Sequence, residues 1–85
     1  MKATITDTTA TASVQASSCD IEAYGTWDGA SLNLEIKTIN GEWQTLATYT
    51  EDTFDVTLSA GSVRIYRFKA SSVGASTSIK VGIAD

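Results

Sequence analysis

Carboxylates are the most numerous side chains in this sequence that could bind a metal ion or transfer a proton. The chain has ten acidic residues, three of which lie close together at Glu51, Asp52 and Asp55. Ca²⁺ takes several carboxylate oxygens as ligands, but this spacing is not that of an EF-hand loop, so we interpret the segment as a solvated turn. A glycosidase needs two facing carboxylates in a deep cleft, for which 85 residues leave little room once a core is filled.

Other groups that catalyse reactions or hold cofactors are scarce. The sequence has no histidine, so the most common general base and the most common zinc ligand are missing. The single cysteine, Cys19, permits neither an intrachain disulfide nor a Cys-x-x-Cys pair, and we expect it to be a small buried residue. No glycine-rich phosphate loop joins a strand to a helix. We therefore expect a protein that is not an enzyme and needs no cofactor or metal.

Aromatic and basic residues are the best candidates for contacts with a partner. Exposed aromatic side chains anchor protein interfaces and stack on sugar rings, although both tryptophans could instead belong to the core or its rim. Several basic residues of this acidic protein lie on one predicted strand, which suits either docking to an acidic patch or a solvated face that discourages edge pairing. The candidate interface residues are Trp27, Trp43, Arg64, Tyr66, Arg67 and Lys69.

The overall composition indicates one domain whose partners are proteins. A net charge of -4 argues against binding to nucleic acid, which requires a basic surface. We also expect no contact with membranes, because no stretch of about 18 apolar residues is present. The N-terminal residues lack the apolar run of a signal peptide, so we expect the protein to remain in the cytoplasm where it is made, or to leave by lysis. Serine and threonine together number 23 and proline is absent, which is more typical of adhesins and virion proteins than of metabolic enzymes.

Alternation of apolar and polar residues predicts that strands must position these side chains. The clearest element is a hairpin over residues 31–50, in which Asn40-Gly41 predicts a two-residue type I′ turn. Further turns are predicted at residues 50–53, 59–62 and 71–76. The alternation directs two sets of apolar residues into the core, namely Phe54, Val56 and Leu58, and Ile79, Val81 and Ile83.

The segment from Val63 to Ala70 has an irregular pattern. Val63 and Ile65 fall on one face of a regular strand, whereas Tyr66 and Phe68 fall on the other. Two explanations fit this arrangement. Either a β-bulge lies near residues 65 and 66, or both faces are covered, one by the core and the other by a partner.

The first third of the chain has weaker signals, and it completes the predicted fold. Residues 12–16 and 20–24 are candidate strands around a turn at Ser17-Ser18, and residues 1–16 could form an N-terminal arm or an edge strand. We predict a single all-β domain over residues 1–85, a small β-sandwich or jelly-roll-like barrel of about seven to eight antiparallel strands. Because this core is small and has no disulfide, we expect it to gain stability from assembly or from docking onto something larger.

Three segments of this sequence resemble small virion proteins of tailed bacteriophages. They are the turn Gly25–Ala30, the motif Gly41-Glu42-Trp43, and residues 61–68 with arginines between apolar residues. The resemblance covers about residues 24–83. Its motifs belong to turns and core positions, and Trp27, Trp43 and Tyr66 match positions of the pattern that are structural.

The resemblance implies a β-sandwich or jelly-roll-like fold and a place in the virion. The leading hypothesis is a non-enzymatic head decoration or cement protein that binds the outside of the capsid shell in many copies, as a homo-oligomer. Its partner would be the major capsid protein or another virion protein. Two alternatives stay open: a head–tail or tail component, and a carbohydrate-binding or host-adhesion module that uses Trp27, Trp43 or Tyr49 on a glycan.

Overall fold

The alternating segments form six strands and no helix in a computed structural model that describes all 85 residues. The strands form one antiparallel sheet in the order β1-β6-β2-β5-β3-β4. The all-β prediction is confirmed, whereas the sheet has six strands rather than seven or eight and is not closed. No helix is long and apolar enough to cross a membrane. The strands are β1 (Lys2–Ile5), β2 (Val14–Thr26), β3 (Ser31–Lys37), β4 (Trp43–Tyr49), β5 (Thr53–Ser72) and β6 (Ser78–Ala84).

The strand count is lower because predicted neighbours merge into two long strands. β2 runs for 13 residues through the predicted turn at Ser17-Ser18, and β5 runs for 20 residues through the predicted turn at 59–62. Both turn predictions were therefore wrong. Between the pairs Ala16↔Arg64 and Ser18↔Ser59, one residue of β2 lies opposite residues 60–63 of β5. The extra residues are absorbed as a large bulge, which lets the strand bend and continue.

The same bulge accounts for the irregular pattern of residues 63–70. It lies just before Ile65, a few residues earlier than the predicted position, and the strand alternates regularly after it. Tyr66 and Phe68 are buried, whereas Val63 is 63% exposed. The inward face of this part of β5 thus carries the aromatic residues.

β5 has different neighbours along its length, and this divides the sheet. Residues 53–59 pair with β2 on one side, whereas residues 65–72 pair with β3 and residues 64–66 also pair with the start of β2. We call β1, β6, the C-terminal part of β2 and residues 53–59 the first half-sheet, and β3, β4 and residues 64–72 the second half-sheet. A single cluster of 14 buried apolar residues draws side chains from both halves, so the sheet curls around one core.

The core is small, with 15 of 85 residues buried. Its largest fully buried side chains are Phe68, Leu32, Leu34 and Ile79. The inward direction of Ile79, Val81 and Ile83 is confirmed. Val56 and Leu58 also pack against the core, but Phe54 is 55% exposed, contrary to the prediction. The reason is a second bulge: two residues of β5, one of them Asp55 with φ of 57°, lie opposite Glu22 and reverse the alternation.

The predicted hairpin over residues 31–50 is confirmed, but its turn is of another type. The amide of Gly41 donates to the carbonyl of Thr38 at 2.9 Å, and the amide of Thr38 donates to the carbonyl of Glu42 at 2.7 Å. Only Gly41, with φ of 87°, has a positive φ in this loop. This is the pattern of a type I turn followed by a left-handed glycine, which adds one residue to the predicted two-residue loop.

The N-terminal segment is tied to the sheet at several points. β1 is an edge strand whose residues Lys2–Ile5 pair with β6. Farther along, the amide of Thr11 donates to the carbonyl of Phe68 at 2.9 Å, and its Oγ1 accepts from the Phe68 amide at 3.0 Å. Residues 1–16 thus contribute an edge strand, a tethered connection and the start of β2.

Cys19 provides a first test of the packing, because its side chain lies in the core with 3% exposure. Burial raises the pKa of its thiol, and the nearby charges of Asp20 and Asp85 raise it further. Since the thiolate is the reactive form, we expect the folded protein to react with a disulfide reagent at about pH 8 far more slowly than the unfolded protein. Absorbance of the released thiol, with and without guanidinium chloride, measures the difference. Equal rates in both solutions would contradict the buried position.

Candidate functional site

The outer face of the second half-sheet gathers side chains that the sequence places far apart. Glu35 on β3 lies opposite Arg67 on β5, and the neighbouring residue Lys37 lies opposite Trp43 on β4. Arg67 points outward because the adjacent Tyr66 and Phe68 point into the core. These positions bring an aromatic, a cationic and an anionic side chain to one place on the surface.

A bulge in β4 decides the orientation of Trp43. The register between β3 and β4 shifts between Leu34↔Ala47 and Glu35↔Thr45, which leaves Leu46 without an opposite residue. A regular strand would place Trp43 on the same face as Ala47 and Tyr49, which pack against the core. Because of the extra residue, Trp43 instead shares the outer face with Arg67.

Trp43, Arg67 and Glu35 are in direct contact, and we call them the Trp–Arg cluster. The Arg67 Nε donates to Glu35 Oε1 at 2.7 Å, and the Arg67 guanidinium lies 4.0 Å from the centroid of the Trp43 ring. The two charged side chains are mostly covered. A cation over an aromatic ring contributes about 0.5–1 kcal/mol at an exposed site and more when it is partly desolvated. The stack and the ion pair together hold all three side chains in fixed positions.

The other basic candidates divide between two locations. Lys69 follows Arg67 on the outward side of β5 and lies opposite Asn33. Arg64 shares the inward side of β5 with Tyr66, and its guanidinium donates to the carbonyl oxygen of Lys37 at 3.2 Å, near the end of the sheet. Arg67 and Lys69, together with Lys37 opposite Trp43, therefore form the basic part of this face, and Arg64 lies beyond it.

The remaining two candidates, Tyr66 and Trp27, do not lie on this face. Tyr66 is a core residue with 3% exposure. Trp27 packs against the core from the turn between β2 and β3, and its Nε1 donates to Asp52 Oδ1 at 2.8 Å. Glu35 is not among the candidate residues predicted from the sequence, although its outward position in the regular alternation of β3 indicated this face.

Asp52 holds the turn that contains Trp27, which leads to a stability prediction. Its Oδ1 also accepts from the amide of Gly25 at 3.1 Å, so one carboxylate joins two donors. We expect Asp52→Ala to lower the free energy of unfolding by about 1–2 kcal/mol, because hydrogen bonds to a charged acceptor are lost and water replaces them. Urea denaturation followed by tryptophan fluorescence measures the change. The neighbouring variant Glu51→Ala is the control, and an equal loss in both would contradict this role.

The β4 strand beside the Trp–Arg cluster has a free edge. It pairs with β3 only, and its seven residues include no charged side chain. Unpaired amides and carbonyls at such an edge can bond to a strand of a partner, whereas bulges discourage long regular pairing. The bulge at Leu46 thus limits this edge to short contacts on either side of it.

Two carboxylates of the acidic cluster at residues 51–55, those of Asp52 and Asp55, have structural roles. Asp52 binds the Trp27 turn, and Asp55 occupies the left-handed position of the β5 bulge. No group of three or more histidine, cysteine, aspartate or glutamate residues is arranged to hold a metal ion. The carboxylates therefore offer no assembled metal site.

Comparison with known proteins leaves the function open, since neither a family model, nor a curated protein, nor a solved structure matches this chain. The resemblance to small virion proteins rests on the motifs within residues 24–83 alone. Inference about function must start from the chemistry of the surface. The Trp–Arg cluster contains the one salt bridge and the one cation–π contact of the structure.

Proposed function

We propose that this protein is a non-enzymatic structural protein of a tailed-bacteriophage virion, a head decoration or cement protein that binds the outside of the capsid shell. The docking surface in this proposal is the outer face of the second half-sheet. The observation that carries it is the Trp–Arg cluster, in which Trp43 and Arg67 are stacked at 4.0 Å on that face. The resemblance of its motifs to small virion proteins supports a place in the virion, and the Trp–Arg cluster supports a docking surface on the protein.

The composition and rigidity of the cluster both favour a protein partner. Tryptophan and arginine are the residue types most enriched among those that dominate binding energy at protein interfaces. The ion pair with Glu35 fixes Arg67 before any partner arrives, so less side-chain freedom is lost on binding. Lys69 adds a positive charge beside the cluster, which favours an acidic or carbonyl-rich patch on the capsid protein.

Binding to capsids tests the proposal directly. The purified protein is mixed with expanded capsids of the phage whose genome carries this gene, and bound protein is measured after sedimentation. We expect Trp43→Ala to weaken binding by about tenfold or more, since loss of a central aromatic anchor removes over 1 kcal/mol. Phe54→Ala, which removes an exposed aromatic ring from the first half-sheet, is the matched control. Binding of the wild-type protein no better than an unrelated protein would contradict the proposal.

Two further measurements separate the alternatives. Quantitative mass spectrometry of virions should give hundreds of copies for a decoration protein and a handful for a head–tail or tail component. An adhesion module would bind glycans on an array. Of the three aromatic residues that are candidates for glycan contact, Trp43 lies on the outer face. Trp27 packs against the core, as does Tyr49, where burial raises the pKa of the phenol. Glycan binding lost in Trp43→Ala, without capsid binding, would favour the adhesion module.

A further inference from the structure

A second surface with an unusual composition lies at the tip of the β3–β4 hairpin. Ile39 in the loop is 93% exposed, and Val63 in the β5 bulge is 63% exposed. Both line one shallow depression of about 310 Å³, together with Lys37 and Arg64 and with no carboxylate. We call Lys37, Ile39, Val63 and Arg64 the tip patch. It is apolar and positively charged in a protein whose net charge is -4.

A larger groove of about 750 Å³ lies on the outer side of the first half-sheet, between β1, β6 and β2. Gly82 leaves its floor open: a Cβ added there would lie 3.3 Å from Glu22 Cγ. Apolar atoms from β2 and β6 line the groove, together with two lysines, Lys2 and Lys80, and a larger number of carboxylates. We call this surface the acidic groove, after the residues Asp20, Glu22, Asp55 and Asp85.

The two surfaces are complementary in charge. The tip patch has two cations and no carboxylate, whereas the acidic groove has four carboxylate side chains, two lysines and the N-terminal ammonium of Met1, which donates to the carbonyl of Ile83 at 2.8 Å. The hairpin loop projects Ile39 outward, and the groove is concave with apolar atoms in its lining. Two tip patches facing each other would instead bring like charges together, which is unfavourable. The charges thus favour contact between unlike surfaces.

We propose that copies of this chain associate head to tail, with the tip patch of one copy in the acidic groove of the next. The two surfaces share no residue and lie on different half-sheets, so each copy can use both at once. A head-to-tail contact of this kind either closes into a ring or extends as a filament, depending on the rotation between neighbours. The contact uses Lys37 at the margin of the outer face but none of the three residues of the Trp–Arg cluster, so this inference does not depend on what the protein docks onto.

The mass of the protein in solution tests the association. Light scattering after size exclusion, from about 1 to about 300 µM, covers the range expected for a small interface. We expect the wild-type protein to assemble, and Ile39→Glu and Glu22→Lys each to weaken assembly about tenfold or more. Both side chains are exposed, so the fold tolerates the changes. The controls Leu46→Glu and Glu51→Lys make the same chemical changes outside both surfaces and should assemble normally.

Mixing the two defective variants tests the head-to-tail geometry itself. Ile39→Glu retains an intact acidic groove, and Glu22→Lys retains an intact tip patch. A mixture should therefore form a 1:1 dimer and nothing larger, because only one intact contact is available. A wild-type monomer throughout the range, full assembly of either variant, loss of assembly in Leu46→Glu, or no complex in the mixture would each overturn the proposal.

Discussion

Replacing Phe68 with alanine should lower the free energy of unfolding by about 3–5 kcal/mol, the usual loss for a buried phenylalanine. Phe68 is 0% exposed and lies opposite Leu34 in the second half-sheet. Loss of its ring leaves a cavity that neighbouring strands cannot fill without breaking their pairing. A domain of 85 residues has a total stability of about 4–13 kcal/mol, so this one change could remove most of it.

The other phenylalanine provides a matched control for this effect. Phe54 is exposed and stacks on Tyr24 with ring centroids 5.5 Å apart. Phe54→Ala therefore removes an aromatic pair worth about 0.5–1.5 kcal/mol and creates no cavity. Guanidinium denaturation followed by circular dichroism measures both variants. Similar losses for the two would mean that Phe68 is not the centre of the core.

Gly25→Ala should prevent folding or remove about 3 kcal/mol or more of stability. The φ of Gly25 is 139°, a conformation that residues with a side chain rarely adopt. A Cβ at this position would also collide with the carbonyl oxygen of Ser78, on the adjacent strand β6. That oxygen belongs to the backbone and cannot rotate away, so the pairing of β2 with β6 would have to open.

The comparison for this variant is Gly61→Ala. A Cβ at Gly61 meets no atom within 4 Å, and its φ is not positive. We expect a change within about 0.5 kcal/mol, as for most surface substitutions. Yield of soluble protein and the midpoint of thermal unfolding distinguish the two. A stable Gly25→Ala protein would show that β2 and β6 do not approach this closely.

Local alternation was sufficient to predict the strands that pair with near neighbours. The pairing of β3 with β4 and the inward faces of β3 and β6 agree with the pattern, since β3 and β6 repeat with period two and each ends at a turn or at the end of the sheet. Local alternation was insufficient to predict β2 and β5. Ser17-Ser18 and residues 59–62 have the composition of turns, but pairing between distant strands converts them into continuous strand with a bulge. Such a bulge depends on a register that composition does not encode.

The candidate site could be predicted only in part, because its formation also depends on strand register. Trp43 and Arg67 were singled out by residue type, yet their contact depends on the bulge at Leu46. Trp27 has the same residue type as Trp43 and a different environment, because Asp52, 25 positions away, accepts from its indole. Residue type therefore indicated which side chains could bind a partner, and register decided which of them reach the surface together.

The sharing of β5 between two half-sheets makes the fold indivisible. Residues 53–59 complete one half and residues 65–72 complete the other, with no linker between them. The two parts of this strand are joined through a bulge and share one core, so we expect neither half to fold as a separate module. Recombination between related genes would fail within β5 unless its neighbours on both sides were exchanged together. Change during evolution should therefore be slowest in β5 and in the residues that pair with it.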